Sequence, residues 1–263
     1  MKKILSIGLW VLSSAIMLVI LGFVGHSQSE IICYNIRIDI DRSNGNYFVE
    51  EEDINAMVYH EMDTLLGRPI SAIEAEKLEY KINNHPAVSN TEVYKTIDGQ
   101  LVIQVKQRTP IVRLFALNGD SYYLDSTGRV MPPSEKYTSR VFVANGFIND
   151  SFLDVNNLNA RTVADSLKER TMIDDIFIFA EFIRKNEFWK AQIEQLYVNK
   201  DFEIELIPRV GNHRIVFGDA TEVEKKFNKL KIFYKKGLSK TGWNEYSVIN
   251  LKYANQVVCK KRI

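Results

Sequence analysis

The sequence predicts an α+β protein with three parts: a single N-terminal transmembrane helix, a compact strand-helix-helix-strand-strand unit, and a β-rich unit carrying two helices. Three observations predict it. Residues 4–24 contain no charged side chain. Residues 34–108 pass from period-two apolar spacing to helical spacing and back. Beyond Thr109-Pro110, short alternating runs recur between Gly- and Pro-containing turns, with two helical stretches among them.

Residues 4–24 are apolar apart from Gly8, Gly22, Ser6, Ser13 and Ser14. At roughly 1.5 Å per residue such a helix spans about 30 Å, the thickness of a bilayer's hydrocarbon core. A helix also satisfies its backbone internally, as lipid requires. A cleaved secretory signal usually has a shorter apolar core of about 7–15 residues, although Gly25-His26-Ser27 supplies small residues for a cleavage site. Lys2 and Lys3 precede the span, and no Lys or Arg returns before Arg37. Positive flanks stay on the cytoplasmic side. Residues 1–3 are therefore expected inside, residues 4–24 in the membrane, and the remainder exported.

After a tether over 25–33, Ile36, Ile38 and Ile40 alternate with Arg37, Asp39 and Asp41, the pattern of a half-buried strand. Asn44-Gly45-Asn46 is a turn. Ile54, Met57, Val58, Met62 and Leu65 then share one face of a helix, which starts among Glu50, Glu51, Glu52 and Asp53. Ser71-Ala72-Ile73-Glu74 has the form of a capping box opening a second helix, with Ala75, Leu78 and Ile82 inward. That helix stops before His85-Pro86, because proline disfavours helical geometry in its predecessor. Two strands, 88–96 and 101–108, flank the turn dipeptide Asp98-Gly99.

In the second unit the alternation predicts strands over 111–116, 121–124 and 140–143, separated by Asn118-Gly119, Thr127-Gly128 and Pro132-Pro133. A helical region follows over 163–186, whose apolar run 173–179 reads as core. Strands over 193–198, 202–207 and 214–217 lead to a helix with Val223, Phe227, Leu230 and Tyr234 inward and a cap from Asp219 and Glu222. A last strand covers 246–253 and can continue through 256–259.

Composition excludes several function classes. A net charge of +1 offers no concentrated basic surface for nucleic acid. The two cysteines, Cys33 and Cys259, form neither a disulfide framework nor a metal motif. His26, His60, His85 and His213 lack ligand spacing, and no nucleophile elbow, P-loop or H-E-x-x-H occurs. Asp125 reads as a turn former, and Lys225, Lys226, Lys229, Lys231, Lys235, Lys236 and Lys240 as the solvated face of a helix. No catalytic, cofactor-binding or metal-binding residue is assigned, so binding is the better class.

Several stretches carry a family likeness. Asn83-Asn84-His85-Pro86-Ala87-Val88, followed by Val93, ends a helix at His-Pro and opens a strand. Val105-Lys106-Gln107-Arg108-Thr109-Pro110 is similar to a "V-x-E-R-x-P" crossing, with Gln107 in place of the usual acid. Tyr122-Tyr123-Leu124-Asp125-Ser126-Thr127-Gly128 is similar to a "Y-x-L-D-x-x-G" hairpin. Val216-Phe217-Gly218-Asp219 is similar to an "L-G" strand-to-helix step, and Ile249-Asn250-Leu251-Lys252-Tyr253 to a closing "V-D-L-R-Y" strand. In this order, behind an N-terminal anchor, they resemble the DivIB/FtsQ family of bacterial cell-division proteins, with residues 34–108 as its POTRA domain and residues 109–263 as its β-rich domain. Residues 149–186 have no counterpart in that pattern.

The resemblance implies a non-enzymatic divisome scaffold in the cell inner membrane, with its body in the periplasm. Its partners would be FtsB- and FtsL-like membrane proteins, and its role would be to help control septal peptidoglycan synthesis. It also implies that the FtsB-like partner sits on the closing strand, at Val248, Asn250, Leu251, Lys252 and Tyr253. That strand is expected at a sheet edge, where unpaired amides and carbonyls can accept another chain. A POTRA-bearing factor for translocation or outer-membrane assembly is the alternative. Such proteins precede a large barrel of strands of about ten residues, and too little chain remains here for one. The predicted topology is checked by a reporter that is active only in the cytoplasm: fused after Ile263 it should be silent, and activity there would invert the orientation.

Overall fold

The computed structural model describes residues 10, 12–19, 31–59, 65–155, 159–160 and 172–263. Residues 12–19 are helical and exposed, and the Ser13 and Ser14 hydroxyls donate to the Trp10 carbonyl at 3.1 and 2.9 Å. Among the described residues no helix is long and apolar enough to cross a membrane. Much of the span expected over 4–24 lies outside the described residues, as do His26, His60 and Met62. The chain divides into two compact units, Met1–Gln107 and Arg108–Ile263.

The first unit contains β1 (Asn35–Asp41), α1 (Glu51–Tyr59), α2 (Ala75–Asn83), β2 (Val88–Lys95) and β3 (Gln100–Gln107). The sheet order is β1-β3-β2, with β1 parallel and β2 antiparallel to the central β3. Leu101, Ile103 and Val105 of β3 are buried, together with Ile54 and Val58 of α1 and Leu78 and Ile82 of α2. Asp53 accepts the Glu50 amide at 3.0 Å, so one of the acids at the start of α1 satisfies an amide there. The β2–β3 turn depends on Gly99, at φ +94, where a Cβ would lie 2.6 Å from the Ile32 carbonyl oxygen.

The capping box expected at Ser71–Glu74 does not form. Residues Ile70–Ala72 make a short 3-10 turn, and the helix begins at Ala75 with Glu74 as an N-cap that makes no side-chain cap bond. The turn buries both Ile70 and Ile73. Burying two isoleucines outweighs one exposed hydroxyl-to-amide bond, which is worth about 1 kcal/mol.

The second unit carries one sheet, β4 (Pro110–Phe115), β5 (Ser121–Asp125), β6 (Val130–Met131), β7 (Phe142–Gly146), β8 (Ile193–Val198), β9 (Ile204–Pro208), β10 (Arg214–Gly218), β11 (Tyr246–Asn250) and β12 (Val258–Lys261). Its order is β12-β11-β10-β9-β8-β7-β4-β5-β6. The helices among the described residues include α3 (Phe152–Val155), α4 (Met172–Lys185), α5 (Glu187–Gln192) and α6 (Val223–Phe233), which runs on into a π-helical turn (Tyr234–Leu238) and a short helix (Ser239–Thr241). Alternation found most of these strands but not the two-residue β6, and it placed β7 two residues early. Two helices were expected. Among the additional helices, α5 is capped by Asn186, whose side chain accepts the Trp189 amide at 3.3 Å, an N-cap the sequence carried unread. The first part of the helix expected over 163–186 lies outside the described residues.

Aromatic packing joins the helices to the sheet. Phe227 of α6 meets Phe217 of β10 at 4.9 Å, Phe182 of α4 at 4.6 Å and Trp189 of α5 at 4.8 Å between ring centroids. Each such pair adds about 0.5–1.5 kcal/mol beyond area burial. Ile173, Ile176, Phe177 and Phe179 are buried in this core, as their apolar run suggested. Asp125 is the turn former the sequence indicated: its Oδ1 accepts the Thr127 and Arg129 amides at 2.8 and 2.9 Å, while Oδ2 takes the Arg108 guanidinium at 2.8 Å.

Gln107, the last residue of β3, is buried and hydrogen-bonded through both ends of its amide. Its Oε1 accepts from Phe48 and Val49 at 2.8 and 3.1 Å, and its Nε2 donates to the Asn46 and Asp41 carbonyls at 2.9 and 3.4 Å. A carboxylate could accept the first pair but would face the second with no proton to give. Gln107→Glu is therefore expected to lower stability by about 1–3 kcal/mol at neutral pH, read by denaturant unfolding. The loss should shrink as acid protonates the introduced carboxyl and restores a donor. An unchanged midpoint at neutral pH would show that the amide's donors are dispensable.

Candidate partner-binding edge

The strand expected over 246–253 ends at Asn250 and does not form the sheet edge. β11 lies between β10, which is parallel, and β12, which is antiparallel. The edge strand is β12, the stretch the sequence offered only as a continuation. The reason lies at residues 250–252. The Asn250 side chain accepts the Lys252 amide at 2.9 Å, a local turn that competes with the ladder and swings the chain back.

Register fixes which backbone groups face outward. The Leu251 amide donates to Val216 of β10 at 2.8 Å, so odd-numbered residues of β11 address β10. Alternation then turns Val248 and Asn250 toward β12, opposite Lys260 and Val258. Val258 and Lys260 consequently address β11, and Cys259 between them turns its amide and carbonyl away from the sheet. Cys259 is a half-buried free thiol, and burial pushes its pKa up. Cys33 is also free, so the two cysteines do not pair.

The five residues expected at a partner surface lie at this corner but in different settings. Val248 and Asn250 are half-buried in β11. Ile249 and Leu251 are fully buried, so the Leu251 side chain belongs to the core and leaves only its backbone for the corner. Lys252 and Tyr253 are exposed, past the end of the strand. Lys252 is paired with Glu203 from the β8–β9 connection, whose carboxylate raises the ammonium's pKa. Gly218, at φ +86, ends β10, and a Cβ there would meet the Lys252 stem at 3.1 Å.

The lysine run on α6 is not simply a solvated face. Lys226 is largely buried, donating to the Asp219 carbonyl and Oδ1 at 3.1 and 3.0 Å over the Phe217 ring. Lys229 bonds the carbonyls of Leu251, at 2.9 Å, and Tyr253. The cap expected from Asp219 and Glu222 is absent: Glu222 stands at the N-cap in a left-handed conformation, makes no side-chain bond to the helix amides, and pairs with Lys225 instead. Asp219 serves Thr221 and Lys226 instead, and these donors hold its carboxyl at about 2.

A cleft of about 580 Å³ lies here, but its walls set Glu203, Asp219 and Glu222 against Lys225, Lys226 and Lys252, with the charges already paired. His213 is buried against Tyr234, 3.2 Å from its hydroxyl, and burial lowers its pKa. Among the described residues, no group of three or more His, Cys, Asp or Glu side chains could hold a metal ion. What the predicted residues offer at this corner is backbone, the exposed Tyr253 ring and the Lys252 ammonium.

The register makes a position-specific prediction. Cys259→Pro deletes an amide that faces solvent, so the protein should keep its unfolding midpoint within a few degrees. Lys260→Pro deletes an amide paired with Val248 and should lower stability by about 1–3 kcal/mol. Thermal unfolding of the two variants checks this, and a larger loss for Cys259→Pro would reverse the assigned register.

Residues 109–260 match the family described as FtsQ/DivIB, C-terminal related, and residues 31–106 match a POTRA-like domain. The Cell division protein FtsQ of Syntrophotalea carbinolica is 30% identical over 121 residues, which are 45% of this chain and 42% of that protein. The chain thus spans less than half of that relative's length. The C-terminal match runs through more than half of the chain, from the first strand of the larger sheet into its β12 edge, and the chain belongs to the FtsQ/DivIB family.

Proposed function

We propose that this protein acts in bacterial cell division as a non-enzymatic scaffold in the inner membrane. Its periplasmic body would hold FtsB- and FtsL-like divisome proteins and help control septal peptidoglycan synthesis. Family membership and the relative named Cell division protein FtsQ support the cell-division role. The observation that carries the binding reading is the free edge of β12, where the Cys259 amide and carbonyl point outward. An extended segment of an FtsB-like partner would pair there, gaining main-chain hydrogen bonds of the strand-addition kind.

In this reading the partner surface belongs to residues 109–263, with residues 34–108 as a separate POTRA domain and residues 4–24 as the anchor. Tyr253 supplies an exposed aromatic surface beside the added strand. Lys252 supplies an ammonium that can exchange Glu203 for a partner carboxylate, as a point charge rather than a fork. Val248 and Asn250 hold β12 in register, and Leu251 anchors the corner from the core.

Two experiments test the reading. Depletion of the protein should give filaments without septa, whereas outer-membrane defects with normal septation would favour an assembly factor. The full chain in detergent should capture an FtsB-like protein, and Tyr253→Ala and Lys252→Glu should each weaken capture by about tenfold, as expected for interface side chains worth more than 1 kcal/mol. Full capture by both variants, with unchanged circular dichroism, would remove this corner from the interface.

A further inference from the structure

Where β11 leaves the sheet, its carbonyls lose their ladder partners. The Leu251 amide still reaches Val216, but β11 ends at Asn250 and the chain turns at Asn250–Lys252, where the Asn250 side chain takes the Lys252 amide. The carbonyls of Leu251 and Tyr253 are both taken by one side chain. The Lys229 ammonium donates to the Leu251 carbonyl at 2.9 Å and to the Tyr253 carbonyl as well. An ammonium carries three donors, so one lysine can hold two backbone turns at once, and charge-assisted bonds are stronger than neutral ones.

The mount is rigid. Lys229 lies on α6 between Phe227 and Leu230, both fully buried, and Phe227 is packed on Phe217, Phe182 and Trp189. The helix thus fixes where the ammonium stands, and the ammonium fixes where residues 251–253 stand. From there only a short connection leads to Val258, the first residue of the edge strand. Burial and the neighbouring Lys226 charge lower the Lys229 pKa, consistent with an ammonium drawn in from solvent.

We propose that Lys229 is a positioning residue for partner binding: it clamps the exit of β11 and so fixes the presentation of the β12 edge, without itself touching the partner. The proposal rests on the edge being the partner surface, as argued above. Lys225, one turn earlier and paired with Glu222, has no such bond to the corner and serves as the control.

The test uses the full chain in detergent, as wild type, Lys229→Met, Lys229→Arg and Lys225→Met. Hydrogen exchange is followed at the Leu251 amide and at the Arg262 amide, which bonds Glu245 across the hairpin at 2.9 Å. Loss of two charge-assisted bonds should speed exchange at both by about tenfold in Lys229→Met, with Lys229→Arg and Lys225→Met near wild type. Affinity for an immobilised FtsB-like protein should fall about tenfold in Lys229→Met alone, mainly through faster dissociation. If Lys229→Met does not fold, Lys229→Gln replaces it. Unchanged exchange in the variant overturns the clamp. Faster exchange with unchanged affinity overturns the positioning role. A wild type that does not bind the partner overturns the functional reading, and the exchange arm still decides the clamp.

Discussion

A β-sheet has to end, and at each end a row of amides and carbonyls goes without a neighbour. The larger sheet resolves its two ends differently. On one side β6 is cut to two residues, both buried, so little backbone is left to satisfy. On the other side β12 remains a full strand with an open flank. The last hairpin is held to the unit by contacts from α6. Phe227 and its aromatic neighbours seat α6 on the sheet, and α6 in turn delivers lysines to the corner where the last hairpin begins.

The parts of the fold legible in the sequence were those written in periodicity and turn chemistry. Ile36, Ile38 and Ile40 announced β1, Asp98-Gly99 announced the β2–β3 turn, and Val223, Phe227 and Leu230 announced the buried face of α6. Errors came where a polar side chain had a choice of partner. Ser71 fits a capping template, yet the packing of Ile70 and Ile73 decided the local geometry. Leu251 has the right character for a strand, and Asn250 ended it with a side-chain bond that no apolar pattern encodes. Lys226 and Lys229 occupy helical positions indistinguishable in sequence from those of Lys225, which is exposed. Spacing says which way a Cβ points, but a lysine stem is long enough to bring its charge back onto the backbone.

Gln107 shows the same limit at the family level. In the family motif Gln107 stands where an acid is usual. In the structure the two are not equivalent, because the site asks for two acceptors and two donors at once. The substitution therefore belongs with the loop it serves, residues 41–49, rather than with the crossing motif in which it was noticed. A motif position is a chemical environment, and its tolerance depends on which lone pairs and protons that environment requires.

The asymmetry of the larger sheet bears on how many chains it can gather. Among the described residues β6 is short and buried while β12 is open, so the proposed strand addition would extend the sheet in one direction. A strand laid on β12 would consume the Cys259 amide and carbonyl and leave no second place of the same kind among the described residues of that unit. If β12 is the partner edge, the described residues of that unit would take one added strand. On the proposed function, a larger assembly built on this sheet would branch through the partner rather than by loading several strands on one molecule, and copy number would be set by the ratio of the two proteins.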